Sequence, residues 1–177
     1  MAAAQEDLGV RRNIVLLTLI GAAICLLSTA WKPRPRIVWN ATASSPIGLY
    51  AVHISAKLSV GDLVVVIPPQ PVASFLADGG FLPRGVPLIK PILALPGQTV
   101  CRVGLVITLD GSTVGTARQY DRLGRPLPDW QGCRTIAIED IFLMNRYQAA
   151  SLDGRYFGAV PRSSIIGSAM PLWTVNE

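Results

Sequence analysis

Hydrophobic and polar positions fall into two regimes along these 177 residues. From Ile14 to Trp31 the run IVLLTLIGAAICLLSTAW carries no charge and no polar face. At helical rise it extends roughly 27 Å, about the thickness of bilayer hydrocarbon, whereas a helix packed on a soluble core keeps a polar stripe. The run predicts one membrane-spanning anchor. The other reading is a secretory signal, because Ser28, Thr29 and Ala30 put small residues where a cleavage site needs them, and cleavage after Ala30 stays open. The length exceeds the apolar part of most signals, which favours the anchor. Residues 1–13 then form an N-terminal tail and 32–39 a basic linker, followed by a globular domain over 40–177.

Past the linker the period shortens to two. GLYAVHI (48–54), LVVVI (63–67), PLIKPILAL (87–95), TVCRV (99–103) and LVITL (105–109) are short, β-branched and bounded by Gly, Pro or Asp, as strands are. Asp110-Gly111 predicts a hairpin turn into STVGTA. CRTIAI (133–138), IFLMN (141–145), RYFGAV (155–160) and IIGSAMPLWTV (165–175) continue the pattern. One short helix is expected near Pro71 to Ala77. The fold class is mainly β, an all-β barrel or coiled sheet. The polar, turn-rich stretch 110–132 reads as an inserted loop or small β-subdomain.

Composition narrows the function. Half the residues are hydrophobic and 15% are charged, which suits a packed core and argues against disorder. The net charge of +5 is mild, and Arg11, Arg12, Lys32, Arg34 and Arg36 flank the apolar run, where anionic headgroups would meet them. Two basic residues on one side and three on the other leave the orientation unsettled. No zinc-finger spacing, aromatic RNA-binding motif or long basic run supports a nucleic-acid partner. Cys25 lies in the apolar run, leaving Cys101 and Cys133 as a pair in the domain. A disulfide in an oxidising compartment is one reading and two small buried hydrophobes the other. Neither cysteine has the neighbours of a metal site.

Candidate chemistry is sparse. The single histidine, His53, lies in a strand pattern, where it caps or lines the strand rather than serving as a base. No Gly-x-Ser-x-Gly or His-Glu-x-x-His motif occurs. In an extended PLIKPILAL, Lys90 shares a face with Leu88, Ile92 and Ala94, and Pro91 biases it towards extended backbone. A lysine among aliphatic side chains loses hydration and its pKa falls, so its amine can take a proton from a serine hydroxyl. On composition alone the competing reading, an ammonium snorkelling to water from a strand edge, is the favoured one.

Four segments in order, TASSPIGLY, GDLVVV, LIKPILALPGQTV and NRYQAASLDGRYFGAV, resemble the conserved boxes of the signal peptidase I superfamily. GRPLPDW with the following Cys133, and the closing GSAMPLWT, resemble its TraF branch of conjugative-transfer peptidases. The likeness covers Asn40 to Thr174. It implies a Ser-Lys peptidase needing no metal or cofactor, with Ser44 as nucleophile, Ser45 as the less favoured candidate and Lys90 as general base. It implies that Thr42 supports the oxyanion and that Ser151 orients the lysine. Asp153 and Arg155 match a structural ion pair beneath the site; without the likeness they are solvated residues on a turn. Cys101 and Cys133 suit a disulfide of that branch.

The implied substrate is a propilin or another membrane-associated preprotein, with water or the substrate's own amine receiving the acyl group. The domain would lie on the periplasmic side of the inner (cytoplasmic) membrane, anchored in the lipid bilayer by a single pass. A general signal peptidase and a non-catalytic scaffold are the other functions considered. Two positions depart from the family pattern: Pro91 stands where Arg is usual, which is expected to alter strand pairing, and Gln98 where Asp is usual.

Overall fold

The computed structural model describes residues 2–30, 36–54 and 57–175. The chain divides into residues 1–34 and 35–177. The first unit is the helix α1 (Ala2–Ala30), whose side chains are described from 11 to 27 and are exposed throughout. Among the described residues no helix is long and apolar enough to cross a membrane. The end of the span read from the sequence, with the side chains of 28–30 and all of Trp31, lies outside those residues. So does the first half of the linker, 32–35, while its last part becomes a strand.

The second unit is mainly β. Its elements are β1 (Ile37–Asn40), β2 (Ile47–His53), β3 (Leu63–Val66), α2 (Val72–Asp78), β4 (Leu88–Ala94), β5 (Thr99–Val103), β6 (Val106–Leu109) and β7 (Ser112–Thr116), then β8 (Gly132–Thr135), β9 (Asp140–Leu143), α3 (Gly154–Phe157), β10 (Val160–Pro161) and β11 (Ile165–Val175). Seven strands make one sheet in the order β1-β2-β11-β3-β4-β9-β10, and four make a second, β7-β6-β5-β8. All the pairings are antiparallel. In the larger sheet β1 and β10 are edges, so it is an open sheet and not a closed barrel. It bends at register shifts in β11 between Ile165 and Gly167 and between Pro171 and Trp173.

Most predicted strands form close to their expected limits. RYFGAV does not: Asp153 turns the chain into α3, accepting from the Arg155 N–H as an N-cap, and only Val160–Pro161 pairs. Gly154 begins that turn because a Cβ there would sit 2.7 Å from the Leu143 carbonyl. The Asp110-Gly111 hairpin forms with both residues at positive φ, 48° and 83°, as a tight turn of this hand requires. Pro91 does not interrupt pairing; it lies opposite Leu63, and its carbonyl accepts from Met144 N–H. Gln98 accepts from Leu95 N–H and donates to the Asp110 carboxylate, a bond that an aspartate could not make.

β4 is the axis of the core. Leu93 and Ala94 pack with Val100, Ile107, Phe142 and Met144 to join the two sheets. Ile92 joins Val64, Val66, Ile141 and Leu143, while Ile89 joins Tyr50, Val65 and Ala169. Each of these larger side chains contributes about 1.5–3 kcal/mol on burial. A lysine in the middle of this strand is therefore held where its charge is costly.

Candidate active site

The loop from β1 to β2 is shaped by one side chain that sequence reasoning did not single out. Asn40, 7% exposed, donates Nδ2 to the carbonyls of Thr42, Ser45 and Pro46 at 3.0, 2.9 and 3.0 Å. Its Oδ1 accepts from the Thr42 N–H and hydroxyl. Three carbonyls around one nitrogen fix which way the amide points. Tyr50 adds a 2.6 Å bond from its hydroxyl to the Pro46 carbonyl. From the other side Asn145 Nδ2 donates to the Ser44 carbonyl at 2.7 Å and Gln148 to that of Ala43 at 3.2 Å. A loop that would otherwise be mobile is thus tied through its backbone. Gly48 follows because β2 runs close to β11 there: a Cβ would lie 2.1 Å from the Trp173 carbonyl.

The loop separates the two serines. Ser44 is half-buried, lines a cavity of about 340 Å³ together with Lys90, and sits 3.2 Å, Oγ to Oγ1, from Thr42. Ser45 is 4% exposed and donates to the Ile89 carbonyl at 3.2 Å; it lines a different recess, behind the loop. One hydroxyl faces the amine's cavity and the other closes a backbone contact.

Lys90 lies opposite Val64 in β4 and is 3% exposed. Nζ donates to Ser151 Oγ at 2.9 Å. Burial lowers its pKa from 10.5 to about 8; the Asp153 carboxylate opposes that fall and the Arg155 guanidinium adds to it. Ser151 is itself buried, and the segment that carries it is wrapped around Arg155. The guanidinium pairs with Asp153 at 2.8 Å and donates to the carbonyls of Asn145 at 2.6 Å and Gln148 at 3.2 Å. Asp153 also accepts from Asn145 N–H. Both ends of the loop bearing Ser151 therefore close on one buried ion pair.

The insertion reaches the same place. Arg102, 2% exposed, donates to the Arg155 carbonyl at 2.7 Å and pairs with Asp129 at 3.1 Å, while Trp130 Nε1 donates to the Gly154 carbonyl. Cys101 and Cys133, opposite each other on β5 and β8, are joined as a disulfide. Nothing in the sequence marks Arg102, Asn40 or Asn145; their partners are mostly backbone carbonyls, which every sequence supplies. His53 lies at the end of β2, exposed.

The cavity thus brings together a half-buried hydroxyl, a second hydroxyl beside it and a buried amine whose pKa burial lowers. Apolar walls from Leu76, Val86 and Leu88 enclose them. A neutral amine within reach of a hydroxyl can accept its proton.

Comparison with known proteins shows the family. The chain is 36% identical over 169 residues to a probable conjugal transfer protein TraF of Sinorhizobium fredii (strain NBRC 101917 / NGR234), covering 90% of this chain and 87% of the relative. It is 36% identical over 149 residues to the conjugal transfer protein TraF of Agrobacterium fabrum (strain C58 / ATCC 33970), covering 77% and 82%. A solved signal peptidase I of Enterococcus faecalis V583 is similar at a TM-score of 0.39 and 18% identity, over 66% of this chain and 98% of that one. Residues 10–173 match the profile of the signal peptidases, peptidase S26. With nearly the whole chain inside that match, the protein belongs to the signal peptidase family, peptidase S26.

Proposed function

We propose that this protein is a membrane-anchored serine endopeptidase that matures a propilin for conjugative transfer, using Ser44 and Lys90 as a catalytic dyad. The observation that carries the assignment is that Ser44, and not Ser45, shares one cavity with a buried lysine whose pKa is depressed to about 8.

Neutral Lys90 takes the Ser44 hydroxyl proton as Oγ bonds to the scissile carbonyl carbon. The resulting oxyanion is met by the Thr42 hydroxyl and backbone N–H groups, in the manner of preorganised donors. Collapse breaks the C–N bond, and the Lys90 ammonium returns its proton to the leaving amine. Deacylation repeats the sequence with water, or with the substrate's own amine if the pilin is cyclised. Ser151 receives the lysine's hydrogen bond and keeps Nζ aimed during both half-reactions. In the resting arrangement Thr42 gives its proton to Asn40 and accepts from Ser44, so both hydroxyls turn when substrate enters.

The uncharged run of α1 supports an anchor, and the disulfide supports a domain outside the cytoplasm, in the periplasm. An exposed apolar ridge supports a domain resting on the bilayer: Ile37, Trp39, Met170, Leu172 and Trp173 are uncovered, with the two indoles stacked at 5.9 Å. Trp39 also lines the cavity, so the ridge and the site adjoin. The names of the conjugal-transfer relatives support the substrate class.

Incubating membranes bearing each variant with a propilin tests the assignment. Ser44→Ala and Lys90→Ala are expected to abolish processing while Ser45→Ala keeps it. Processing by Ser44→Ala with loss in Ser45→Ala overturns the dyad. Rescue of a strain depleted of its own signal peptidase would replace the propilin substrate with general preproteins.

A further inference from the structure

A second recess, of about 240 Å³, opens from the catalytic cavity. The two share Phe81, Arg122, Ala150 and Leu152, so they run into one another along a common wall. The walls of the second are apolar apart from Arg118, Arg122, Arg125, Asp121 and the Tyr156 hydroxyl.

Two of these charges are already committed. Asp121 accepts from the N–H groups of Leu123 and Arg125 and pairs with the Arg125 side chain at 2.6 Å. Arg125 also donates to the Gly79 carbonyl at 2.6 Å and lies 4.4 Å over the Phe81 ring. That pair fastens the insertion to the segment after α2. Arg118 and Arg122 are different: neither guanidinium has a hydrogen-bond or ion-pair partner among the described residues, and both are exposed on the recess. Only the backbone N–H of Arg118 is used, donated to Tyr156. The recess is left with two unmatched positive charges above apolar walls, beside the site where a peptide is cut.

We propose that this recess is a substrate subsite for a carboxylate, met by Arg118 and Arg122, with Leu123 and Leu127 covering the aliphatic stem that carries it. The proposal rests on the peptidase reading for its substrate being a peptide. Guanidinium groups suit the task because they grip a carboxylate through two parallel hydrogen bonds. Either an acidic side chain near the scissile bond or the α-carboxylate of a short terminal segment supplies that chemistry.

Binding and cleavage are measured separately. The full chain carrying Ser44→Ala is titrated with fluorescent peptides built on one small-residue core. One has an internal glutamate, walked along the peptide, and an amidated end. A second has glutamine there and a free carboxylate end, and a third has glutamine and an amidated end. A carboxylate peptide is expected to bind about tenfold more tightly than the neutral one, and which one does so identifies the source. Adding Arg118→Gln and Arg122→Gln is expected to reduce that preference below about twofold. A charge-matched control with Arg12→Gln and Arg134→Gln keeps it.

Equal binding of all three peptides overturns the subsite, as does a preference that survives loss of Arg118 and Arg122 or disappears in the control. Cleavage by the unsubstituted chain is the independent arm. Peptides cut without any binding preference leave the peptidase and remove the subsite; a preference that follows Arg118 and Arg122 with no peptide cut supports the subsite and removes the peptidase.

Discussion

Lys90 sets what can be measured at the scale of single residues. As the proposed base, its amine would act only when neutral, so kcat/KM is expected to rise with pH through about 8, the value to which burial lowers it. The same shift acts on stability. Because the folded pKa lies below the unfolded 10.5, the fold disfavours the charged form. The cost is fully present below about pH 8 and fades as pH rises towards 10.5. At 1.36 kcal/mol per unit it amounts to about 3 kcal/mol. Lys90→Met should therefore raise stability at pH 7 by about 2 kcal/mol in urea melts, allowing for the lost Ser151 bond, and abolish processing. An unchanged or lower midpoint would show that the amine is not desolvated. Asn40 is the opposite case. Asn40→Asp has nearly the same shape but no N–H to give, and it points a carboxylate at three carbonyls. A loss of about 3 kcal/mol and a fall of about a hundredfold in processing are expected, read from melts and propilin turnover.

Elements decide how the site residues stay in place. β4 presents Lys90 because a strand buried on both faces fixes each side chain's direction. The segment from Asn145 through α3 presents Ser151 because Arg155 gathers its carbonyls. Removing one member of the Asp153–Arg155 pair leaves the other charge buried, so Arg155→Met should cost about 3–5 kcal/mol. The pair also tunes Lys90 in opposite senses, since Arg155 lowers its pKa and Asp153 raises it. In variants that still fold, the alkaline rise of kcat/KM should move to higher pH on loss of Arg155 and to lower pH in Asp153→Asn. Shifts in the same direction would remove this electrostatic account. Much of this scale was legible: β-branched runs between turn residues are strands whatever they pack against, and Asp110-Gly111 encodes its own hairpin. RYFGAV was not legible, because the acceptor of the Asp153 cap and the close approach of Leu143 override its strand-like composition.

For the whole molecule, the insertion ties the two sheets to the site. β8 is exposed on every residue, so the Cys101–Cys133 bond, Arg102 and Trp130 carry what apolar packing does not. The cysteines are 32 residues apart, and closing a loop of that size is worth about 3–4 kcal/mol on the chain-entropy account. Cys101→Ser with Cys133→Ser should lower stability by about that amount in urea melts. It should also lower the temperature at which processing fails, because α3 loses its support. A variant as stable as the parent would place the insertion outside the folding unit.

The resemblance of the boxes is what pairs a serine with a lysine, whereas the mainly β class and the presence of an uncharged helical run were determined by the sequence, since each rests on residue type and local period. Which serine faces the amine was not. Ser44 and Ser45 are adjacent and chemically identical, and only the hairpin's return along β2, clamped by Asn40, turns one into the cavity and the other towards Ile89. Burial of Lys90, the closing of Arg155 on distant carbonyls and the meeting of two recesses at Arg122 were likewise decided by tertiary structure. They depend on contacts between residues far apart in the chain, and backbone carbonyls, the commonest partners, leave no mark in a sequence.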